Sequence, residues 1–123
     1  MNTQVSVSID VENLEQAVVF YTNALGCKHK VKYTKQWEVI TLGELDIHIQ
    51  EKKVGTTAAG TEVRHYDRHW TPVHLDFGVT DVRQACDIVE KYGGRIESQS
   101  FSDGADIAVC ADPFGNGFCL IRE

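Results

Sequence analysis

Val5-Ser-Val-Ser-Ile-Asp-Val-Glu-Asn-Leu-Glu-Gln-Ala17 and Val73-His-Leu-Asp-Phe-Gly-Val-Thr-Asp-Val-Arg-Gln-Ala85 are one pattern written twice, 68 residues apart. Val11/Val79, Gln16/Gln84, Ala17/Ala85 and Gly26/Gly94 are identical pairs, and Asn13/Asp81, Leu14/Val82 and Phe20/Ile88 are similar ones. Each copy opens with strict alternation, apolar at odd positions and polar at even ones until the glycine at 78. Such a strand packs one face on a core and turns the other to solvent or a cavity. Asn13 and Asp81 then stand where a helix cap belongs, with Gln16 and Gln84 three residues on. Apolar residues recur at helical spacing beyond each cap: Leu14, Ala17, Val18, Tyr21 and Leu25, then Val82, Ala85, Cys86 and Val89. Gly26 and the pair Gly93-Gly94 supply the left-handed stops, so each helix runs about three turns.

Three shorter strands follow each helix, over about 28–33, 37–42 and 45–51, and over about 95–100, 105–111 and 117–122. Between them lie turn-forming stretches, Gly43-Glu44, Asp103-Gly104 and Asp112-Pro-Phe-Gly-Asn-Gly117. The chain therefore reads as a βαβββ unit repeated: an α+β single domain over 1–123, with modules at 1–52 and 71–123 and a polar linker at 53–70.

At 123 residues, 42% hydrophobic and 24% charged, the sequence has the composition of a globular domain large enough to fold without a disulfide or metal. Twelve basic residues against 18 acidic ones leave a net charge of −6, which argues against nucleic acid and anionic membranes as partners. No apolar run is long enough to span a bilayer, and the N-terminus lacks the basic and apolar regions of a signal peptide. A cytoplasmic protein is expected. Cys27, Cys86, Cys110 and Cys119 are scattered without a CxxC pair, so they read as reduced, mostly buried thiols.

Asn13-Leu-Glu-Gln-Ala-Val-Val-Phe-Tyr-Thr-Asn-Ala-Leu-Gly26, together with His74-Leu-Asp-Phe77 and Asp112-Pro-Phe-Gly-Asn-Gly-Phe-Cys-Leu120, resembles the vicinal oxygen chelate superfamily. That superfamily includes glyoxalase I, bleomycin-resistance proteins, fosfomycin-resistance enzymes and extradiol dioxygenases, and the resemblance runs from the first strand to the last. It implies two βαβββ modules whose mixed sheets curl into a cup with the helices outside, usually completed by a second subunit. A small-molecule ligand and a homodimer are the expected partners.

The family's metal ligands, His or Gln, Glu, His and Glu, resemble the positions of Ser6, His48, His74 and Cys119 in this chain. Ser6 pairs with His74 at the 68-residue shift, and His48 pairs with Cys119 when Ile47-His48-Ile49 is set on Phe118-Cys119-Leu120. Only His74 keeps a family-type ligand. Two imidazoles and a thiolate suit zinc or nickel with an open position, with His48 doubling as a base of near-neutral pKa. Iron(II) would want a carboxylate where Cys119 stands. Asp10, Asp46 and Asp76 have the parity to face the cup and to substitute as donors, and Ser6 is a polar cavity residue. Against this stands a simpler reading, in which both histidines are merely hydrogen-bonded and Cys119 is a small core residue.

Without the glutamates, a glyoxalase or extradiol dioxygenase label exceeds what the residues carry. The linker segment Arg64-His-Tyr-Asp-Arg-His-Trp70 gathers two cations and two aromatics, and reads either as a lid placing His69 and Trp70 on a ligand or as a solvated connector or dimer contact. Enzyme status stays open: a divalent-metal-dependent lyase or isomerase with an atypical ligand set, or a metal-free protein that binds a drug or metabolite without catalysis.

Overall fold

The computed structural model describes residues 2–123, and the chain divides into two compact units with the boundary between Tyr66 and Asp67. In the first unit β1 (Ser6–Val11) leads into α1 (Leu14–Leu25), followed by β2 (Lys28–Thr34), β3 (Trp37–Leu42) and β4 (Leu45–Glu51). A small hairpin, β5 (Thr57–Ala59) with β6 (Glu62–Val63), closes the unit. In the second unit β7 (Leu75–Val79) and α2 (Val82–Lys91) precede β8 (Arg95–Ser100), β9 (Ile107–Ala111) and β10 (Gly117–Arg122). The sheet orders are β1-β4-β3-β2 and β7-β10-β9-β8, so each module is a mixed four-stranded sheet with its first strand parallel to its last. The repeat is thus a repeat of topology as well as of sequence.

Local chemistry explains both helices. Asn13 Oδ1 accepts from Gln16 N at 2.9 Å, and Asp81 Oδ1 accepts from Gln84 N at 3.0 Å. Gly26, at φ 75°, closes α1 in the left-handed conformation that a side chain would resist. The caps lead to a stability prediction: Asn13→Ala and Asp81→Ala should each cost about 1 kcal/mol. Urea unfolding would show this as a lowered midpoint at unchanged slope, because neither change alters the surface exposed on unfolding.

Each helix buries its apolar stripe on one face of its own sheet. In the first module Leu14, Ala17, Val18, Phe20 and Tyr21 of α1 are buried, and Ile40, Ile47 and Ile49 of the sheet are fully buried. Burial of each such aliphatic side chain contributes roughly 1.5–3 kcal/mol. In the second module Val82, Cys86 and Val89 of α2 are buried, as are Phe77, Phe118, Leu120, Ala108 and Cys110 of the sheet. Phe77 and Phe118 meet edge to face with ring centroids 5.6 Å apart. Residues of the opposite parity, including His48 and Cys119, are left on the other face of each sheet.

Three differences from the sequence expectation stand out. The strand expected over 73–79 begins at Leu75, because the parallel ladder starts at Leu75↔Phe118, and His74 precedes it. The strand expected from 105 begins at Ile107. The linker is not featureless: Arg64 N donates to Thr56 O at 2.8 Å and Gly55 N to Arg64 O at 2.9 Å, folding 55–64 into a hairpin. Strands of three and two residues are too short to show alternation in a sequence. No helix among the described residues is long and apolar enough to cross a membrane.

Candidate metal centre

His74, Asp76 and Cys119 come together in the second module for reasons of strand geometry. His74, just before β7, and Asp76, within it, are two residues apart in the chain and come to the same side. Cys119 sits directly across the parallel ladder from Asp76. The result is one imidazole nitrogen, one carboxylate oxygen and one sulfur all within 4.8 Å of one another. Cys119 is buried, His74 is partly buried and Asp76 is exposed, so the group opens to solvent on the carboxylate side.

His74 Nδ1 is 3.2 Å from Asp76 Oδ1, yet the two are not aligned as a hydrogen bond and Nδ1 is buried without one. A buried polar nitrogen left unsatisfied costs about 1–3 kcal/mol. The spacing has another meaning. Nitrogen and oxygen ligands held at about 2.0–2.1 Å by a tetrahedral ion lie about 3.3 Å apart. The donor set fits a borderline metal: a thiolate, an imidazole and one carboxylate suit zinc or nickel, whereas magnesium and calcium want oxygen alone. The two-histidine set of non-haem iron is not matched within this group.

The surroundings tune the thiol. Burial pushes the Cys119 pKa up, the neighbouring Asp76 carboxylate raises it further, and Arg68 opposes both. Arg68 is held in a bidentate pair, its Nε 2.7 Å and its Nη2 3.0 Å from the two oxygens of Glu97, while its Nη1 donates to His69 O. The guanidinium lies over Gly117: a Cβ there would come within 2.6 Å of Nη2. Gly117 is two residues before Cys119 on the same face of β10, so the missing side chain is what admits the arginine beside the thiol. Trp70, 67% exposed, tilts over His74 with ring centroids 5.7 Å apart. His69 Nδ1 donates to Asp67 O at 2.9 Å.

The first module carries the other residues singled out in the sequence. Its ladder sets Ser6 opposite Asp46 and Ser8 opposite His48. The second module sets Asp76 opposite Cys119. His48 and Cys119 thus occupy the same register in the two copies, as do Ser8 and Asp76. Asp10 is paired with Arg64 at 2.8 Å, and Asp46 with Lys30 at 2.7 Å. Both carboxylates therefore already have a cation.

His48, expected as a base and a ligand, lies on β4 of the first module. Trp37 Nε1 donates to His48 Nδ1 at 3.0 Å. An indole nitrogen only donates, so Nδ1 must be the acceptor and Nε2 carries the hydrogen of the neutral ring. In that state Nε2 has no lone pair for a metal or a proton. Three contributions escaped the sequence reading: the Trp37 bond to His48, the Arg68–Glu97 pair, and Gly117 as the seat for the guanidinium. The first rests on same-face neighbours across a ladder, which the strand alignments do encode once the order of strands is known.

Comparison with known proteins places these modules. A family model described as a glyoxalase-like domain matches residues 6–121. No curated protein matches the chain. Among solved structures, a hypothetical protein from S. aureus superposes with a TM-score of 0.74 at 20% identity, covering 100% of this chain and 99% of that one. The fosfomycin resistance protein FosX from Listeria monocytogenes, in a mutant form complexed with Mn(II) and 1S,2S-dihydroxypropylphosphonic acid, gives a TM-score of 0.74 at 14% identity, covering 98% of this chain and 90% of that one. A glyoxalase/bleomycin resistance protein from Albidiferax ferrireducens T118 gives 0.63 at 22% identity, covering 96% of each chain. At these identities the likeness is one of fold.

Proposed function

Because the chain belongs to the glyoxalase-like domain family of the vicinal oxygen chelate superfamily, we propose that it binds a small molecule at a divalent-metal site whose donors are His74, Asp76 and Cys119. The observation that carries this reading is His74 Nδ1, buried, without a hydrogen bond and 3.2 Å from a carboxylate oxygen. The FosX complex supports it by showing that a protein of this fold takes a divalent ion. A thiolate in place of a carboxylate favours zinc or nickel over manganese.

When bound, such an ion would supply Lewis acidity to an oxygen of the ligand, the chemistry a lyase or isomerase of this family would use. The chain's own groups have defined parts. Asp76, the exposed member, stands beside the Cys119 thiol and would turn to the ion as the thiol proton leaves. Arg68 favours the thiolate at the same place. Trp70 covers the imidazole of His74 and would exclude water from one side. A cytoplasmic homodimer belongs to the same proposal, and sedimentation at micromolar protein reads the dimer directly.

Metal-free binding without catalysis is the second reading. The observation favouring it is the burial of Cys119, which holds the thiol in its protonated form.

The two separate on titration of chelator-treated, tag-free protein with Zn²⁺ and Co²⁺. The metal reading expects one equivalent taken up and a thiolate-to-cobalt charge-transfer band that Cys119→Ser removes. His74→Ala should weaken zinc binding by more than about 100-fold, beyond the loss from removing an outer-shell partner. Uptake below about a tenth of an equivalent in the folded wild-type protein would sink the metal site and leave the binding protein.

A further inference from the structure

Donor identity alone does not fix which ligand the second module accepts, because the donors balance the ion. The neutral imidazole of His74, the carboxylate of Asp76 and the thiolate of Cys119 bring a divalent cation to no net charge. A ligand is then selected by the charges standing around the group. Arg68 is the cation that Cys119 feels. Its guanidinium lies where a side chain at Gly117 would stand, with Nη2 2.6 Å, Cζ 2.9 Å and Nη1 3.0 Å from that Cβ position. Gly117 and Cys119 are two residues apart on one face of β10, which puts the guanidinium about 7 Å along the strand from the thiol.

An uncompensated guanidinium there would draw anions to the ion. At an effective dielectric of about 20 to 35, a unit charge about 7 Å away changes an affinity by about 10- to 50-fold. This guanidinium is compensated. Nε is 2.7 Å from Glu97 Oε2 and Nη2 3.0 Å from Oε1, the two parallel bonds of a carboxylate fork. The fork depends on an irregularity in β8. Its ladder steps from Ile96↔Cys110 to Ser98↔Val109, which leaves Glu97 as the extra residue of a bulge. A bulge re-aims a side chain, and Val109 is the residue that β9 pairs with Cys119. On β7 the added charge is negative as well: Glu123 lies over Gly78, on the side of Asp76, with Oε1 2.9 Å from where a Cβ would be.

We infer that Glu97 sets the charge preference of this site: it positions Arg68 and cancels its charge, so that the group takes an uncharged oxygen ligand and gives an anionic one no advantage beyond the ion's own. This rests on the metal reading above. Glu97 is a positioning residue, touching neither ion nor ligand and acting through Arg68.

Glycolamide and glycolate are matched probes, hydroxy-oxygen chelators of nearly the same size that differ by one charge. Each is titrated into Co²⁺-loaded full-length protein, read by the visible spectrum of the cobalt, and the ratio of the two affinities is compared across variants. Glu97→Gln should raise the preference for glycolate by about 10- to 50-fold, with glycolamide bound as in the wild type. Arg68→Met uncovers Glu97 and should shift the preference the other way by a similar factor. The double variant, uncharged at both positions, should return to the wild-type ratio, because the pair already sums to zero. A merely structural pair would weaken both probes together and leave the ratio unmoved.

An unchanged ratio in Glu97→Gln, or a double variant that keeps the Glu97→Gln preference, would overturn the inference while the metal site stands. Wild-type protein that shows no thiolate-to-cobalt band would sink the metal site, and this inference with it.

Discussion

Asp112→Ala is expected to lower stability by about 3–4 kcal/mol, a large part of the roughly 5–15 kcal/mol that holds a domain together. Asp112 is fully buried, which for a carboxylate is tolerable only when its oxygens are satisfied. Oδ1 accepts from Phe114 N at 2.7 Å and from Asn116 N at 2.9 Å, and Oδ2 accepts from Asn116 Nδ2 at 2.9 Å. The backbone closes the same turn, with Asp112 N donating to Asn116 O at 2.8 Å. Alanine would strand two backbone N–H groups away from water, each costing about 1–3 kcal/mol, partly offset because a charge no longer has to be desolvated. The melting temperature should fall by about 10–20 °C for a chain of this size.

The chemistry of the turn allows a sharper check. Asp112→Asn keeps one acceptor for the two N–H groups but sets an amide donor against the Asn116 amide, and should cost about 1–2 kcal/mol. Adding Asn116→Asp restores a donor facing an acceptor, and the double variant should recover most of the loss. A double variant no more stable than the sum of the two singles would show that the turn is held by something other than this pairing. The turn matters beyond stability, because it delivers β10 into register, with Gly117 under the arginine and Cys119 opposite Asp76.

Sequence made the architecture readable because both βαβββ copies announce themselves in ways that do not depend on tertiary context. Alternation gave the first strands, Asn13 and Asp81 gave the helix starts, and Gly26 and Gly93 gave their ends. The register of the last strands was also readable, since setting His48 on Cys119 is the alignment the two ladders adopt. The donor group was only half readable. Parity put Asp76 on the same side as His74, but it put Asp10 and Asp46 on the corresponding side of their module equally well. What separates them is a partner from elsewhere: Arg64 arrives 54 residues later in the chain to neutralise Asp10, and Lys30 comes from β2 to neutralise Asp46. His48 shows the same limit. Its tautomer is set by an indole on the neighbouring strand, a contact that no spacing within β4 reports.

The two copies differ in a way that favours chemistry in the second. At matched register the first module carries Ser6, Ser8 and His48 where the second carries His74, Asp76 and Cys119. One scaffold therefore presents hydroxyls and a donor imidazole in one place, and three metal-type donors in the other. The sheet fixes only the positions, and the side chains at those positions decide what can be held.

Raising the pH from about 9 to 11 is expected to unfold the protein through its buried thiols, and this is the second large effect. Burial pushes Cys27 from 9.0 up to about 11 and Cys110 from 9.0 up to about 12. Both side chains are nearly or fully inaccessible, at 4% and 0% exposure, so water does little to screen the penalty. With the folded pKa above the unfolded one, the stabilisation is complete below about pH 9. It is lost as pH rises through the folded values, because the unfolded chain releases its protons first. Each thiol then removes about 1.4 kcal/mol per pH unit within its window, several kcal/mol for the pair. Tyr66 and Cys86 act in the same direction, raised first by burial and then by neighbouring carboxylates.

Denaturant unfolding at half-unit steps from pH 8 to 10.5 measures the slope. Cys27→Ala and Cys110→Ala change the starting stability through packing, but each should also flatten the alkaline decline by about one proton's worth. Curves that fall in parallel for wild type and both variants would mean that the thiols ionise in the fold as easily as out of it. At pH 8 the same burial should leave Cys27 and Cys110 unmodified by a thiol reagent for as long as the chain stays folded, since only the thiolate reacts.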